Sequence, residues 1–525
     1  MSATTLVWRV VLTLALGGAF AAQMLRWLRV LQREHYEPSS MSRFLGRWTS
    51  PPVASAKSVT RNKKNRPLTL SHVLAVLLFV TALLREDALV TLISIVYGLF
   101  CPTGLAIRGR TSRLQWTRRL TTIAVVSTGA SIIIAVAGGF TVRPWLVAAA
   151  LVWAVPVLLD VTARVLAPYE QRRANQYVER ARRRLERVGP RVVAITGSYG
   201  KTSTKHHLSE LLGADGGVVA SPRSYNNQAG LSRAINENVA DDTRLFIAEM
   251  GTYGPGEIRA LCSWCRPEIA VVTAIGPVHL ERMKSLEIID QAKFEITERA
   301  TTVVLNCDDE RLARWIPRLQ HRGIHVVAVG SRSPEASVRV VEVDATWTIL
   351  IDGAVVATTP ATVGIRPTNV ACAIGVALEL GVAREELLRR VTLLSPVLNR
   401  SQVVTAPSGV VVIDDTFNAN PASAEAALEL LASLSLTGRR VVVTPGLVEM
   451  GRDQYGANLS LGQKVAARRA ELVIVGRTNV VPMTVGYAEP PRRFDTREEA
   501  VSWVRSALAA GDGVLYLNDL PDHYP

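Results

Sequence analysis

The residues VVAITGSYGKTSTKHHLSELL, 192–212, indicate how the larger part of this chain folds. Residues 192–195 form an apolar run typical of a buried strand, and residues 203–212 can form a helix. Between them lies a glycine loop that ends in Lys201 and Thr202. Glycines let backbone N–H groups approach a phosphate, and the N-terminus of the following helix favours negative charge. The stretch therefore predicts a strand, a phosphate-binding loop and a helix.

Two side chains of the loop have distinct predicted roles. Lys201 is expected to neutralise phosphate oxygens, and the hydroxyl of Thr202 is expected to bind Mg²⁺. The spacing differs from the common nucleotide-binding loop, because Ile195 stands where that pattern requires glycine. A chance resemblance of this loop to a nucleotide-binding loop therefore remains an alternative. The predicted ATP-binding residues of this segment are Gly197, Ser198, Tyr199, Gly200, Lys201, Thr202 and Ser203.

Polar residues follow two further apolar runs of the same region. Residues 245–248 end at Glu249, and residues 269–273 are followed by His279. Because ligands sit at the carboxyl ends of the strands in a parallel α/β sheet, we expect these side chains to converge. A carboxylate oxygen and an imidazole nitrogen are plausible ligands around two Mg²⁺ ions. Taken singly, each residue could instead only cap a helix.

The ordered motifs of residues 191–480 resemble the Mur ligase family, the ATP-dependent amide ligases of peptidoglycan synthesis, and most closely its D-alanyl-D-alanine-adding branch. The resemblance implies a central ATPase domain with a mostly parallel sheet, residues 191–398, and a Rossmann-like C-terminal domain, residues 399–525. The motifs that carry it are TGSYGKT (196–202), Asn226 and Asn227 with Gly230, EMG (249–251), PVHLE (277–281), AKFE (292–295), LNCDD (305–309), Asn369 and DDTFNANP (414–421).

The resemblance also implies roles for individual residues. Thr202 and Glu249 would hold one Mg²⁺, and His279 a second with help from Lys293 as a carbamate, which is anionic where the ammonium would repel the metal. Lys201, His279 and Lys293 are the implied catalytic residues. Beyond the loop, the implied nucleotide contacts are Asn369, Arg400, Asp415 and Asn420, and the candidate substrate contacts are Asn226 and Asn227. The implied reaction forms an acyl phosphate from a carboxylate and ATP, and an amine converts it into an amide with release of phosphate.

The positive charge of the chain is confined to its first third. The 525 residues include 60 Lys or Arg and 45 Asp or Glu, a formal charge of +15. Residues 1–191 hold 27 of the basic and 8 of the acidic residues, a net +19, which leaves −4 for the remainder. This distribution does not favour a nucleic-acid partner for the catalytic part, because the charge flanks apolar runs.

Five apolar runs in this basic third are each about long enough to cross a bilayer as a helix. Positive-inside loops at residues 26–67 and 108–119 predict an external N-terminus and a cytoplasmic location for everything after residue 163. The runs are residues 6–25, 68–84, 88–107, 120–140 and 144–162. A soluble apolar core, a re-entrant hairpin for the last two runs and a signal peptide for the first remain alternatives.

The sequence thus predicts a multi-pass plasma (inner) membrane protein with cytoplasmic catalytic domains. Residues 1–163 would be the membrane region with about five helices, and residues 164–190 a basic juxtamembrane helix or linker that contacts membrane lipid. Soluble Mur ligases begin instead with a domain that binds a uridine diphosphate group. We therefore expect a small-molecule or lipid-linked carboxylate substrate and an amine or amino-acid co-substrate.

Two other functions stay open at this stage. The chain also resembles membrane-bound poly-γ-glutamate synthases, which would make a long polymer instead of adding one residue. A protein of another class, a catalytically silent membrane scaffold that only binds nucleotide, would not need Lys201, Glu249, His279 and Lys293 together. The sequence makes no prediction of the oligomeric state.

Overall fold

The structure of the protein is a computed structural model. It describes residues 3–34, 36, 41, 44, 87–101, 114–140, 144–213, 217–222, 225–278, 280–397, 402–416 and 419–518. Within these residues, long apolar helices come first and two α/β sheets follow, one of nine strands and one of six.

The N-terminal helices are α1 (Ala3–Arg33), α2 (Asp87–Phe100), α3 (Arg118–Gly139) and α4 (Pro144–Val188). In the described part of the chain, three stretches are long and apolar enough to cross a membrane by length and composition: Val10–Gln32, Arg118–Gly138 and Trp145–Val188. They contain most of the predicted runs 6–25, 120–140 and 144–162. Of the predicted run 88–107, residues 88–100 lie in a helix of 14 residues. Residues 102–107 and the run 68–84 lie outside the described residues.

Helix α2 is capped by polar side chains of α1. Its last carbonyls have no partner within the helix. Gln23 Nε2 donates to Cys101 O at 2.6 Å and Arg26 Nη1 donates to Gly98 O at 2.6 Å. These bonds satisfy buried backbone oxygens and fix α1 against α2.

Helix α4 continues without interruption from the apolar segment to the first α/β domain. Ala181 and Leu185 are buried in the same core cluster as Leu231 and Ile235. Near this packing contact, Asn236 Nδ2 donates to the carbonyl of Tyr177 at 3.0 Å. The end of the helix is therefore packed and hydrogen-bonded onto the domain that follows it.

The central domain is built on the nine-stranded sheet in the order β2-β3-β1-β4-β5-β6-β7-β8-β9. Neighbouring strands are parallel from β2 to β7, whereas β8 and β9 add to the edge in antiparallel fashion. The strands are β1 (Arg191–Thr196), β2 (Val218–Ala220), β3 (Leu245–Glu249), β4 (Ile269–Val272), β5 (Thr302–Asn306), β6 (His325–Gly330), β7 (Val338–Val343), β8 (Thr346–Ile351) and β9 (Ala354–Pro360).

Helices cover both faces of this sheet. Alternate residues of β1 enter different core clusters, Val192 and Ala194 on one side and Val193 and Ile195 on the other. Burial on both faces explains why the strand is a continuous apolar run. The helices are α5 (Lys201–Leu212), α6 (Gln228–Asn238), α7 (Glu257–Trp264), α8 (Leu280–Met283), α9 (Leu286–Phe294), α10 (Glu310–Ala313), α11 (Ile316–His321), α12 (Pro367–Glu379) and α13 (Arg384–Val391).

The C-terminal domain has the six-stranded sheet, ordered β10-β11-β15-β12-β13-β14. Only the pairing of β10 with β11 is antiparallel among these described strands. The strands are β10 (Gln402–Thr405), β11 (Val411–Asp415), β12 (Arg440–Thr444), β13 (Glu471–Val475), β14 (Arg492–Phe494) and β15 (Gly513–Leu517). The helices are α14 (Pro421–Ser433), α15 (Gln454–Ala467), α16 (Val480–Tyr487) and α17 (Arg497–Ala507).

The register of the central sheet brings the predicted site residues to one edge. In the parallel pair β1 and β3, Ile195 is the partner of Glu249. In the pair β1 and β4, Thr196 is the partner of Val272. The loops that leave these three strands therefore begin side by side.

Candidate active site

The loop between β1 and α5 has a backbone that only glycine fits at two positions. Gly200 has φ +80° and Gly197 has φ +152°. A Cβ atom at Gly200 would lie 2.4 Å from Asn369 Oδ1, and one at Gly197 would lie 2.0 Å from Thr273 Oγ1. The loop thus lies directly against its neighbours and turns into α5 at Lys201, as the sequence predicts.

Side chains of the loop hold it in this form. Ser198 Oγ donates to Gly276 O at 3.0 Å and accepts from Gly276 N at 2.9 Å. Lys201 Nζ donates to the carbonyl of Gly197 at 2.6 Å, across the mouth of the loop. The lysine ammonium is therefore already placed at the N-terminus of α5, where an anion would bind.

Tyr199 contributes a buried hydroxyl to the same loop. Among the residues that the structure describes, its phenolic oxygen has no hydrogen-bond partner. Burial, followed by the charge of Asp309, raises the pKa of Tyr199, so the phenol is neutral at physiological pH. A buried polar atom without a partner is costly in a native protein. Tyr199 is one of the residues that line the cleft.

Glu249, at the end of β3, lies at the centre of a buried polar cluster. Its carboxylate accepts from Thr202 Oγ1 at 3.0 Å and from Asn226 Nδ2 at 3.2 Å, and pairs with Lys205 Nζ at 3.0 Å. Burial alone would raise the pKa of Glu249, but the charges of Lys205 and Lys201 and these hydrogen bonds hold it below the usual value. The structure thus brings together three predicted residues, Thr202, Asn226 and Glu249.

Lys205 is a member of this cluster that the sequence interpretation missed. Its ammonium also donates to Ser221 O at 2.7 Å, and its side chain is 6 % exposed. The available signal was its spacing, because a residue three positions after Thr202 lies on the same helix face.

Lys293, on α9, is a second buried lysine of the cleft and is 3 % exposed. Burial and the nearby charge of Lys201 lower its pKa well below the ordinary lysine value. In the described part of the chain, no carboxylate forms an ion pair with it within 4.0 Å. Burial and the neighbouring Lys201 charge therefore favour the uncharged amine form of this side chain.

The other acidic residue of the AKFE motif is structural. Glu295 Oε1 accepts from Gly256 N at 2.6 Å, and Oε2 accepts from Arg259 N at 3.0 Å. The carboxylate thus caps the start of α7.

The remaining described nucleotide contacts predicted from the sequence come from both domains and reach the same cleft. In the C-terminal domain, Asp415 ends β11 and Asn420 caps α14 through Ser423 N at 2.9 Å. In the central domain, Asn369 lies in the first turn of α12. The cleft between the two domains has a volume of about 780 Å³. Predicted residues on its wall are Ser198, Tyr199, Gly200, Lys201, Thr202, Ser203, Asn226, Lys293, Asn369, Asp415 and Asn420.

Not every predicted residue is placed in the cleft. Asn227 is the N-cap of α6, where Oδ1 accepts from Gly230 N at 2.9 Å, and it is not among the lining residues. His279 and Arg400 lie outside the described residues. Residues of the wall that the sequence interpretation missed include Tyr253, Arg366 and Glu449.

Two clusters that could suggest metal chemistry have hydrogen-bonding roles. Asp308 accepts from the backbone N–H groups of Ser331 and Ser333 at 2.7 and 2.8 Å, which supports a strand-end turn. Glu210 lies near His206, with Oε1 at 3.3 Å from His206 Nε2, and accepts from Ser395 N at 3.2 Å. The second cluster attaches α5 to the segment that leads into the C-terminal domain.

Comparison with known families agrees with this geometry. Residues 195–376 match the family model described as Mur ligase middle domain. Residues 399–517 match the model described as Mur ligase, glutamate ligase domain. Together the two matches cover more than half of the chain, and the chain belongs to the Mur ligase family.

Individual relatives point to one branch of that family. A UDP-N-acetylmuramoyl-tripeptide–D-alanyl-D-alanine ligase of Mycobacterium tuberculosis is 34 % identical over 311 residues, which cover 55 % of this chain and 59 % of that protein. The chain thus spans about three fifths of the length of this curated relative.

Solved structures show the same fold. The MurF ligase from Thermotoga maritima in complex with ADP has a TM-score of 0.58 at 22 % identity, over 66 % of this chain and 80 % of that one. MurF from Acinetobacter baumannii has a TM-score of 0.58 at 21 % identity, over 66 % and 77 % of the two chains.

Proposed function

We propose that the protein is an ATP-dependent, ADP-forming amide ligase of cell-wall precursor synthesis, which joins a carboxylate to an amine through an acyl phosphate. The observation that carries the proposal is one cleft that holds Lys201, Thr202 and the buried amine of Lys293, with Glu249 directly behind Thr202. An enzyme that only hydrolysed ATP would not need the second lysine.

The cleft fits a nucleoside triphosphate. The backbone at Gly197 and Gly200 leaves no space for a side chain, and the buried Tyr199 hydroxyl has no partner among the described residues. This hydroxyl and the N-terminus of α5 would hold the phosphates. Lys201 would exchange its bond with Gly197 O for phosphate oxygens and offset the charge that develops on the transferred group.

The residues for Mg²⁺ are the Thr202 hydroxyl and the Glu249 carboxylate, which already lie within hydrogen-bond distance. Bound Mg²⁺ would offset the charge of the phosphates and polarise the group that is transferred. His279 is proposed for a second ion. Lys293 is proposed to serve there as a carbamate, and its low pKa supports this because only an uncharged amine reacts with carbon dioxide.

The N-terminal helices support a membrane location. Ile133 of α3 is 71 % exposed and Phe140 at its end is 90 % exposed. Such apolar surface in water would cost about 25 cal/mol per Å², whereas lipid would cover it. We propose that α1, α3 and α4 cross the plasma membrane, that the two α/β domains are cytoplasmic, and that the carboxylate substrate is lipid-linked.

The decisive experiment measures amine-dependent ADP release by the full-length protein in lipid nanodiscs. The donors are UDP-N-acetylmuramoyl-tripeptide and the same peptide on a lipid diphosphate. We expect Lys201→Ala to lower the rate by about 10²- to 10³-fold, and Arg314→Ala, an exposed charge of the same domain, to leave it unchanged.

The outcomes separate the alternatives. Equal ADP release by Lys201→Ala and the unmodified protein would indicate a silent nucleotide-binding scaffold. Long products would indicate a polymer ligase of the poly-γ-glutamate type. Equal use of the UDP-linked and lipid-linked donors would contradict the lipid-linked substrate.

A further inference from the structure

The hydrogen-bonded cluster on helix α5 also gathers three groups that can bind a metal ion. His206 and His207 lie four and three positions before Glu210, so both imidazoles can reach its carboxylate. His206 Nε2 lies 3.3 Å from Glu210 Oε1, and His207 Nδ1 lies 3.7 Å from Glu210 Oε2. The ligand atoms of the three residues all lie within 4.8 Å of one another. Glu210 is eight positions after Thr202, about 12 Å further along the helix than the proposed Mg²⁺ ligand.

The distances in the cluster fit a zinc site. Zn²⁺ in proteins is tetrahedral, with Zn–N distances of about 2.0–2.1 Å and Zn–O distances of about 2.0–2.2 Å. Two ligand atoms of such an ion are about 3.4 Å apart, because the edge of a tetrahedron is about 1.6 times the distance from its centre to a corner. The two nitrogen–oxygen distances, 3.3 and 3.7 Å, are close to this value. Imidazoles and carboxylates are ligands of zinc, whereas Mg²⁺ prefers oxygen ligands.

His207 provides an independent indication of a ligand. Its side chain is 1 % exposed, and among the described residues its Nδ1 atom has no hydrogen-bond partner. The separation of 3.7 Å from Glu210 is too long for a hydrogen bond. Buried polar atoms of native proteins nearly always have a partner. A metal ion bound between His207 and Glu210 would be that partner.

The carboxylate of Glu210 has no lysine or arginine beside it. In the part of the chain that the structure describes, its ion-pair partners within 4.0 Å are the two histidines. Glu249 differs, because Lys205 lies 3.0 Å from its carboxylate. Glu210 accepts from Ser395 N at 3.2 Å, and a hydrogen bond of this kind orients the carboxylate ligands of many metal sites. A divalent cation would therefore displace no lysine or arginine from Glu210.

We propose that His206, His207 and Glu210 form a binding site for Zn²⁺. The two imidazole nitrogens and the carboxylate would be the ligands from the protein and leave one tetrahedral position for a water molecule. Ser395 Oγ lies 3.1 Å from His206 Nε2, and Ser395 belongs to the segment that leads into the C-terminal domain. The ion would therefore strengthen the attachment of α5, which begins at the phosphate loop, to the interdomain segment.

Zinc binding is measured on the full-length protein in nanodiscs, without a polyhistidine tag and after treatment with a chelator. The protein is dialysed against Zn²⁺ in an excess of Mg²⁺, and we expect one bound Zn²⁺ per chain by elemental analysis. His206→Gln and His207→Asn keep a polar atom near each ligand nitrogen but should lower the affinity at least about a hundredfold. His325→Gln is the matched control, because His325 Nε2 also lies 3.3 Å from a carboxylate, that of Glu379, but belongs to no three-residue cluster among the described residues.

Co²⁺ in place of Zn²⁺ reports the geometry of the site. Tetrahedral Co²⁺ absorbs visible light much more strongly than octahedral Co²⁺. We expect the strong bands in the unmodified protein and in His325→Gln, and their absence in His206→Gln and His207→Asn. The proposal would be overturned by a weak octahedral spectrum, by displacement of the Zn²⁺ by Mg²⁺, by the absence of bound zinc, or by equal zinc contents in the unmodified protein and both ligand variants.

Hydrogen exchange tests the position of the ion. Zn²⁺ should slow exchange in peptides that contain residues 392–397 of the unmodified protein and should leave it unchanged in His206→Gln. Melting temperatures measured without Zn²⁺ should agree between the variants and the unmodified protein, which shows that the fold is kept. Zinc binding with no change of exchange in this segment would contradict a site beside Ser395. None of these measurements uses ATP or an amine, so they are independent of the proposed ligase function.

Discussion

Substitution of Lys205 by Met tests the buried polar cluster on which the site depends. The change keeps most of the side-chain volume but removes the charge that lies 3.0 Å from Glu249 Oε2. It also leaves the carbonyl of Ser221, which accepts from Lys205 Nζ at 2.7 Å, without this donor. The carboxylate would then be buried with hydrogen bonds but without its nearest cation.

The expected loss of stability follows from burial. The two side chains are 6 % and 2 % exposed, so water screens the pair little. Removal of one partner of a buried ion pair costs about 3–5 kcal/mol. For a cooperative unit of about 200 residues, this lowers the melting temperature by about 6–20 °C. The double variant Lys205→Met with Glu249→Gln should lose less than the sum of the single variants, because no uncompensated charge remains.

The assay combines thermal unfolding with hydrogen exchange of peptides from β1 and β3, which reports on the central domain alone. Lys464→Met is the matched control, since Lys464 pairs with Glu425 but is 40 % exposed, and such a pair contributes about 0–1 kcal/mol. Equal melting temperatures for Lys205→Met and Lys464→Met would contradict the claim that the buried pair of Lys205 and Glu249 stabilises the central domain.

Two further predictions concern the loop and the interdomain segment. Gly200→Ala should lower both stability and nucleotide affinity, because its Cβ would lie 2.4 Å from Asn369 Oδ1, whereas Gly189→Ala, also at positive φ but with open space around it, should cost only about 1 kcal/mol in thermal unfolding. Burial would raise the pKa of Glu210, but the adjacent imidazoles of His206 and His207 and the hydrogen bonds from Ser395 lower it below the usual value of 4.5. Its stabilisation is therefore present above that pH and lost as the pH falls below it. In Glu210→Gln, the melting temperature should decrease less as the pH is lowered below 4.5. The same pH dependence as in the unmodified protein would contradict stabilisation by ionised Glu210.

The phosphate loop could be predicted because its signal is local. The apolar run, the glycines at positions 197 and 200 and the start of α5 are consecutive in sequence, and strands that end in polar residues meet at one edge of a parallel sheet. The convergence of Thr202 and Glu249 follows from this rule and is observed at 3.0 Å. Asn227 shows the limit of prediction from local sequence. An asparagine is equally compatible with a substrate contact and with a helix N-cap, and the sequence alone does not distinguish the two roles.

Other features depend on tertiary packing. Lys205 is buried only because Glu249 and Ser221 lie beside it, and a lysine on a helix otherwise indicates a solvated face. The backbone of residues 445–447 is held by Asn458, Asn479 and Asn518, which lie much further along the chain.

The N-terminal helices are connected to the site through α4. Helix α4 packs on α6 through Leu185 and Ile235, and α6 begins directly after Asn226 and Asn227. Asn226 donates to Glu249 at 3.2 Å. A single packed path therefore leads from the proposed membrane anchor to the proposed metal ligand. At a rise of 1.5 Å per residue, the 21 residues from Pro168 to Val188 span about 30 Å. With a helix of this length docked at its end, the cleft would have a fixed height and orientation above the bilayer, which suits a substrate presented by the membrane.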